Sequence, residues 1–299
     1  MDGEKIKGSL LVAAAGSLWG FMSIFVNGMA SLGLYAMDVI FVRVAVSSVI
    51  MALILIFKDK SLFRVRLKDI WCFFGTGVLS LTMFNFFYFS NIRLTSPGVA
   101  AVLMYTSPVF ILLLSAVLFK EKLSALKLAA CLLTFLGCAL VGGIFGQGIT
   151  LKGLVFGLLS GIGYGLYSIF GRFASDKGYS SMTITAYTFI FAIFGTLPFT
   201  KFKVIGEMFR NNPPIKVSAA LGGAVLLTVV PYLLYTAGLK YIETGKAGVI
   251  AAIEVVVASL VGYFVFNEVF SFTKIIGIIL VLISIAMMNT KKERKENGI

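Results

Sequence analysis

The feature that most constrains this chain is a succession of ten apolar stretches, each about 18 to 23 residues long, separated by short charged breaks. A helix of that length matches the thickness of a bilayer's hydrocarbon core. A helix also satisfies its own backbone donors and acceptors, which water cannot do at that depth. The spacing predicts helices over about 8–30, 36–57, 70–92, 97–119, 126–146, 153–173, 182–200, 217–239, 245–266 and 271–290. With 59% of residues hydrophobic and 13% charged, the chain lacks the polar surface that a water-soluble domain needs. No break is long enough to hold an extramembrane domain. The expected fold class is therefore all-α and integral to a membrane.

The net charge of +13 raises nucleic acid as a partner, but the basic residues are scattered over many loops and form no single face. They read as topology signals. With a cytoplasmic amino terminus, the inner segments collect roughly 18 of the 26 Lys and Arg. These include Lys58, Lys60, Arg64, Arg66 and Lys68 and the tail Lys291, Lys292, Arg294 and Lys295. Lys201, Lys203, Arg210 and Lys216 oppose this orientation, but they lie in the longest connection, where the charge rule is weaker. Lys5 and Lys7 precede a stretch whose hydrophobicity continues through Ala30 without a cleavage site, so it reads as a retained first helix. The expectation is a multi-pass protein of the cytoplasmic membrane with both termini in the cytoplasm.

Sliding the sequence against itself shows a duplication. Gly8, Gly16, Trp19, Gly20, Ser23, Gly33 and Met37 fall opposite Gly153, Gly161, Tyr164, Gly165, Ser168, Gly178 and Met182. At a nearly equal offset, Tyr88, Gly98, Ala100, Phe119, Glu121, Ser124 and Lys127 fall opposite Tyr235, Gly245, Ala247, Phe266, Glu268, Ser271 and Lys274. The chain divides into a first repeat over 1–146, a second over 147–290, and a basic cytoplasmic tail over 291–299. Five helices per half force the second half to enter the membrane upside down, making an inverted repeat. Two such halves can exchange two unequal shapes, the pattern of a secondary transporter.

Other chemistries lack their residues. Histidine is absent, which removes the commonest general base and metal ligand. No Gly-x-x-x-x-Gly-Lys-Ser/Thr loop is present for a nucleotide. Cys72, Cys131 and Cys138 lie singly inside apolar stretches and read as packing residues. No metal site, cofactor or enzyme activity is expected.

The segments SPGVAAVLMYTSPVF through LFKEKLS, repeated as TGKAGVIAAIEVVVA through VFNEVFS, resemble the two EamA-type halves of the drug/metabolite transporter superfamily. The resemblance runs from about Gly8 to Asn289. It implies ten helices, cytoplasmic termini, and a central cavity lined mainly by the first, third, fourth, sixth, eighth and ninth helices. It also implies, frequently, export of amino acids or related metabolites. One departure concerns Glu254, which Val255 follows where the family often has proline. The Pro108 kink of the fourth helix then lacks a counterpart, and the two halves are expected to bend differently.

Glu254 is the sharpest single residue, because an ionised side chain near the middle of a span costs several kcal/mol unless it meets water or a partner. It shares a helical face with Ala247, Ala251 and Ala258, which suits a cavity wall or a helix interface. Its roles are a counter-charge for a substrate amino group, a proton carrier, or a structural bond between helices. Arg43, about seven residues inside the second helix, reads as an anchor snorkelling to the outer interface. Asp38 lies on a different face from Arg43. Mid-membrane tyrosine hydroxyls need partners, and the resemblance places Tyr88, Tyr105, Tyr164, Tyr232 and Tyr235 around the cavity. With Trp19, Asn85 and Ser107 they form the candidate substrate-binding set. Gly16 and Gly20, and Gly161 and Gly165, give smooth faces for close approach; with Pro108 they are the candidate packing and gating positions. The expected function is alternating-access export of a small metabolite, an amino acid or derivative. Export of cationic amines or drugs by proton antiport is the alternative, and a channel stands behind both. The expected partners are a small solute and membrane lipids, in an assembly compatible with a monomer.

Overall fold

The computed structural model of the chain describes residues 2–143 and 149–289. Among these, nine helices are long and apolar enough to cross a membrane: Gly3–Ser31, Ala36–Lys58, Leu67–Leu94, Pro97–Phe119, Ala125–Gly142, Leu151–Asp176, Ser181–Phe199, Pro214–Gly238 and Thr244–Phe266. A shorter apolar helix, Phe272–Met287, completes the series. We refer to these as the first to tenth spans. The boundary between the repeats at 146/147 and the basic tail at 291–299 lie outside the described residues.

The duplication is visible in the backbone. Gly33 (φ +92°) after the first span and Gly178 (φ +89°) after the sixth occupy the left-handed region at matching turns, where glycine avoids a Cβ clash. The non-glycine residues with positive φ are Lys120 (56°) and Asn267 (52°), which end the fourth and ninth spans at the same repeat position. Ser124 Oγ then accepts from the Lys127 amide at 3.3 Å. Ser271 Oγ accepts from the Lys274 amide, also at 3.3 Å. Each serine satisfies an orphan donor at the start of the following helix.

The halves interlock through their glycines. A Cβ at Gly16 would lie 2.6 Å from the Ala251 carbonyl oxygen, and one at Gly20 would lie 2.5 Å from Val257 Cβ, so the first span presses its small face onto the ninth. By the same logic a Cβ at Gly161 would meet Thr106 Oγ1 at 2.4 Å and the Leu103 carbonyl at 3.0 Å; at Gly165 it would meet Ile111 Cγ1 at 3.0 Å. The sixth span therefore presses onto the fourth. The fifth and tenth spans meet at Gly137 and Gly277, joined by a Thr134 Oγ1 to Ser284 Oγ bond of 2.8 Å.

The contacts of Gly16 and Gly161 fall on helix breaks. The fourth span stops at Met104 and restarts at Ser107, as Pro108 leads one to expect. The ninth stops at Ala251 and restarts at Ile253 without a proline. This corrects the expectation of unlike bends: the amides of Ala252 and Val255 each bond three residues back, at 3.1 and 3.0 Å. The Ala251 carbonyl lies against Gly16 instead. A tightened turn with a close glycine partner thus breaks the ninth span where proline breaks the fourth.

Two further features depart from a plain row of helices. The third span contains a π-helical stretch, Gly75–Thr82, in which Thr82 Oγ1 donates to the Gly77 carbonyl five residues back at 3.0 Å. Gly75 and Gly77 there lie against Phe170, Phe191 and the Thr188 carbonyl. The long connection after the seventh span, read from sequence as a loop, carries the helix Phe202–Asn211. Its Val204, Ile205 and Met208 pack on Met29, Leu32, Leu34 and Val39.

Candidate functional site

The helix breaks face a central cavity of about 500 Å³, within the ordinary range for small-molecule sites. The structure brings Trp19, Asn85, Tyr88, Tyr105, Tyr164, Tyr232, Tyr235 and Glu254 to its wall. Ser107 is not among them: it is buried, and its carbonyl lies 3.5 Å from where a Cβ at Gly165 would be. The packing of the sixth span on the fourth encloses it, so its sequence-based placement is corrected.

Glu254 sits in the first turn after the break in the ninth span. Tyr164 donates its hydroxyl to Glu254 Oε2 at 2.9 Å, a bond between the sixth and ninth spans, both in the second half. Around this pair the rings form one cluster. Trp19 packs edge-on to Tyr232 at 5.4 Å and tilted to Tyr235 at the same separation. Phe84 packs edge-on to Tyr164 at 5.2 Å. Two tyrosine hydroxyls away from the carboxylate are paired: Tyr235 with Ser168 Oγ at 2.6 Å, and Tyr167 with Thr236 Oγ1 at 2.6 Å. Asn85 donates to the Leu81 carbonyl at 2.7 Å, leaving its amide oxygen for another partner. The arrangement offers one carboxylate, ring faces that attract cations, and a few fixed hydroxyls.

Arg43 reads from sequence as an anchor and not as a cavity residue. It is 6% exposed and lines the same cavity, instead of reaching an outer interface. The signal that singled out Glu254, a charge inside an apolar stretch, was equally present at Arg43. Ser23 and Ser168 also line the wall, at positions the duplication itself pairs. Asp38 is engaged elsewhere, accepting from the Tyr35 amide at 3.3 Å and the Lys201 amide at 2.7 Å. Among the described residues, no three Cys, Asp or Glu side chains gather where a metal ion could sit.

The two ends of the cavity differ. Toward one end its wall reaches Ile92, Pro97, Val141, Glu268 and Lys274. There Lys274 Nζ lies 2.8 Å from Glu268 Oε2, in a pair that is 23% and 52% exposed. At the opposite end Glu121 caps the start of the ninth span, accepting from the Thr244 and Gly245 amides at 2.7 and 3.1 Å. Beside it the fully buried Lys127 pairs with Glu243 and donates to the Lys122 carbonyl at 2.8 Å. None of these closing residues lines the cavity.

The profile of the EamA-like transporter family matches residues 6–143 and again 151–290. An uncharacterized transporter of Archaeoglobus fulgidus is 32% identical over 69% of this chain and 73% of its own length. The uncharacterized transporter YetK of Bacillus subtilis is 23% identical over 85% of this chain and 78% of its own. A protein known from a crystal structure is 17% identical and superposes with a TM-score of 0.76, covering 95% of this chain and 98% of that one. At that identity the likeness speaks for the fold alone.

Proposed function

The chain belongs to the EamA-like transporter family, and from that premise we propose that it moves a small amino-bearing metabolite, an amino acid or derivative, outward by alternating access. The observation that carries this reading is Glu254: a carboxylate bonded to Tyr164 in an aromatic cavity whose wall extends to one end of the bundle only. A carboxylate among ring faces holds an ammonium group by charge and by cation–π attraction together. The repeat supplies the second state, because exchanging the shapes of the two halves opens the other end. The membrane is the cell membrane, both termini lie in the cytoplasm, and the described state faces outward. A single chain forms the whole site, so a monomer suffices, and nucleic acid has no part in it.

Glu254 serves as the substrate's counter-charge and as the candidate proton carrier. An exchange of one proton for one ammonium at the same carboxylate gives antiport without a second site. Export of cationic amines uses the same carboxylate and is the second reading. Flux through proteoliposomes tests the proposal. Counterflow with saturation is expected of a carrier, and Glu254→Gln is expected to abolish or uncouple it while leaving folding nearly intact. Unchanged rate and pH dependence in that variant removes Glu254 from the mechanism. Tyr88→Ala and Tyr235→Ala are expected to weaken substrate affinity more than alanine at an exposed phenylalanine such as Phe264; equal effects would make the tyrosines packing groups.

A further inference from the structure

We propose that Arg43 is the anion subsite of the central cavity, so that the transported solute is a zwitterion whose carboxylate it receives. The inference deepens the proposed function and rests on the cavity being the substrate site. Arg43 stands in the second span, which the expected cavity wall did not include. The residue as a whole is 6% exposed. Its Nε is a buried donor without a hydrogen-bond partner. Its Nη1 meets the Met22 sulfur at 3.2 Å, and a thioether is a weak acceptor.

A cation held at that depth without a carboxylate is costly, and buried charges are ordinarily paired. The one acid on its own helix, Asp38, spends both oxygens on backbone amides of Tyr35 and Lys201. The acid across the cavity, Glu254, is bonded to Tyr164. The guanidinium thus keeps donors for an incoming anion, in a fork that matches a carboxylate.

The charge balance of the wall decides between solute classes. Among the described residues, Arg43 and Glu254 are the ionic groups of the inner cavity, one of each sign; Glu268 and Lys274, at the mouth, already neutralise one another. A solute with one ammonium and one carboxylate neutralises both inner groups. An amine alone leaves Arg43 unpaired and adds a like charge nearby. An acid alone does the same to Glu254. Complementarity of this kind discriminates chiefly by penalising the wrong partner.

The test compares each proteinogenic amino acid with its decarboxylated amine and its deaminated acid, by quenching of tryptophan fluorescence in the purified full-length protein. At least one amino acid is expected to bind tenfold or more tighter than either single-charge analogue. Arg43→Gln should remove that advantage, weakening the amino acid to the level of its amine while leaving amine binding unchanged or improved. Arg43→Lys, which keeps the charge and loses the fork, should fall between. Size-exclusion profiles check the fold of both variants, and the wild-type comparison stands without them. Amines binding as tightly as amino acids, no amino acid binding at all, or Arg43→Gln weakening amino acid and amine alike would overturn the proposal. Glu254→Gln separates the two readings. If it abolishes amine binding while amino acids gain nothing from their carboxylate, the cavity stands as the site and the Arg43 assignment falls. If it changes no ligand's binding, the cavity reading falls as well.

Discussion

The fourth span, Pro97–Phe119, and the ninth, Thr244–Phe266, break at equivalent positions and end in the same left-handed turn, at Lys120 and Asn267. They differ at the residue after the break and at the acid beyond their ends. Past the fourth break stands Ser107, buried; at the matching place in the ninth stands Glu254, on the cavity wall. Past the fourth span's end, Glu121 reaches across to cap the ninth span. Past the ninth span's end, Glu268 turns to Lys274 on its own side and leaves the start of the fourth span uncapped by it. The same backbone plan therefore makes one closed end, one accessible end and one charged site. Duplication provides the symmetry, and a few substitutions make the site single.

The magnitudes agree with the geometry. Charge-assisted hydrogen bonds from amides to a carboxylate contribute about 1.5–3 kcal/mol each, and Glu121 accepts two. A half-exposed pair such as Glu268 with Lys274 contributes roughly 0–1 kcal/mol. A few kcal/mol favour closure at the Glu121 end, an amount that ligand binding can offset.

Four experiments probe this comparison. The largest effect is expected at the site: Glu254→Gln should lower proteoliposome flux roughly 100-fold, whereas Ser107→Ala at the matching position should change it less than about twofold. Comparable losses would mean that the two spans share the binding role. Next, Glu121→Ala should weaken the closed end by about 3 kcal/mol, whereas Glu268→Ala, at the open mouth, should leave the closed end unchanged. Maleimide labelling of a cysteine placed at Thr244 reads the difference, and equal labelling in the two variants contradicts it. Smaller again, Gly16→Ala and Gly161→Ala should each cost about 1–3 kcal/mol of stability by thermal unfolding, because an added methyl meets backbone or a neighbouring side chain. Gly28→Ala, with nothing within 4 Å, should not destabilise. The smallest effect is expected for Val255→Pro, which gives the ninth span the proline of the fourth. It removes one amide bond in the first turn of a helix, where proline is tolerated, and should shift stability by under about 1 kcal/mol.

Much of this was legible beforehand. All ten spans follow from apolar run length, since lipid leaves the backbone no alternative to helix, and the duplication follows from paired glycines, acids and serines. Glu254 is conspicuous because a charge at that depth demands a reason. The break in the ninth span was not legible. It arises from the approach of Gly16 to the Ala251 carbonyl, a contact between residues 235 positions apart that no local signal encodes. The place of Arg43 was hidden for a related reason: snorkelling and facing a cavity look alike in sequence, and only the packing of neighbouring spans separates them. Ser107 was misplaced because the hydroxyl sits just past a break, where a small rotation exchanges cavity for interface. The helix Phe202–Asn211 was missed because its basic residues resemble those of a loop.

The most direct measurement of alternation uses two cysteine pairs in proteoliposomes, with Cys72, Cys131 and Cys138 replaced by alanine. One pair stands at residues 121 and 244, where Glu121 and the Thr244 amide touch at 2.7 Å. The other stands at 97 and 268, its image in the repeat. A short bifunctional reagent should join either pair in separate populations, with substrate altering the ratio, and joining one should prevent joining the other and stop flux. Both pairs joined in the same molecule, or a 97–268 pair that never joins, would contradict alternating access about a single site.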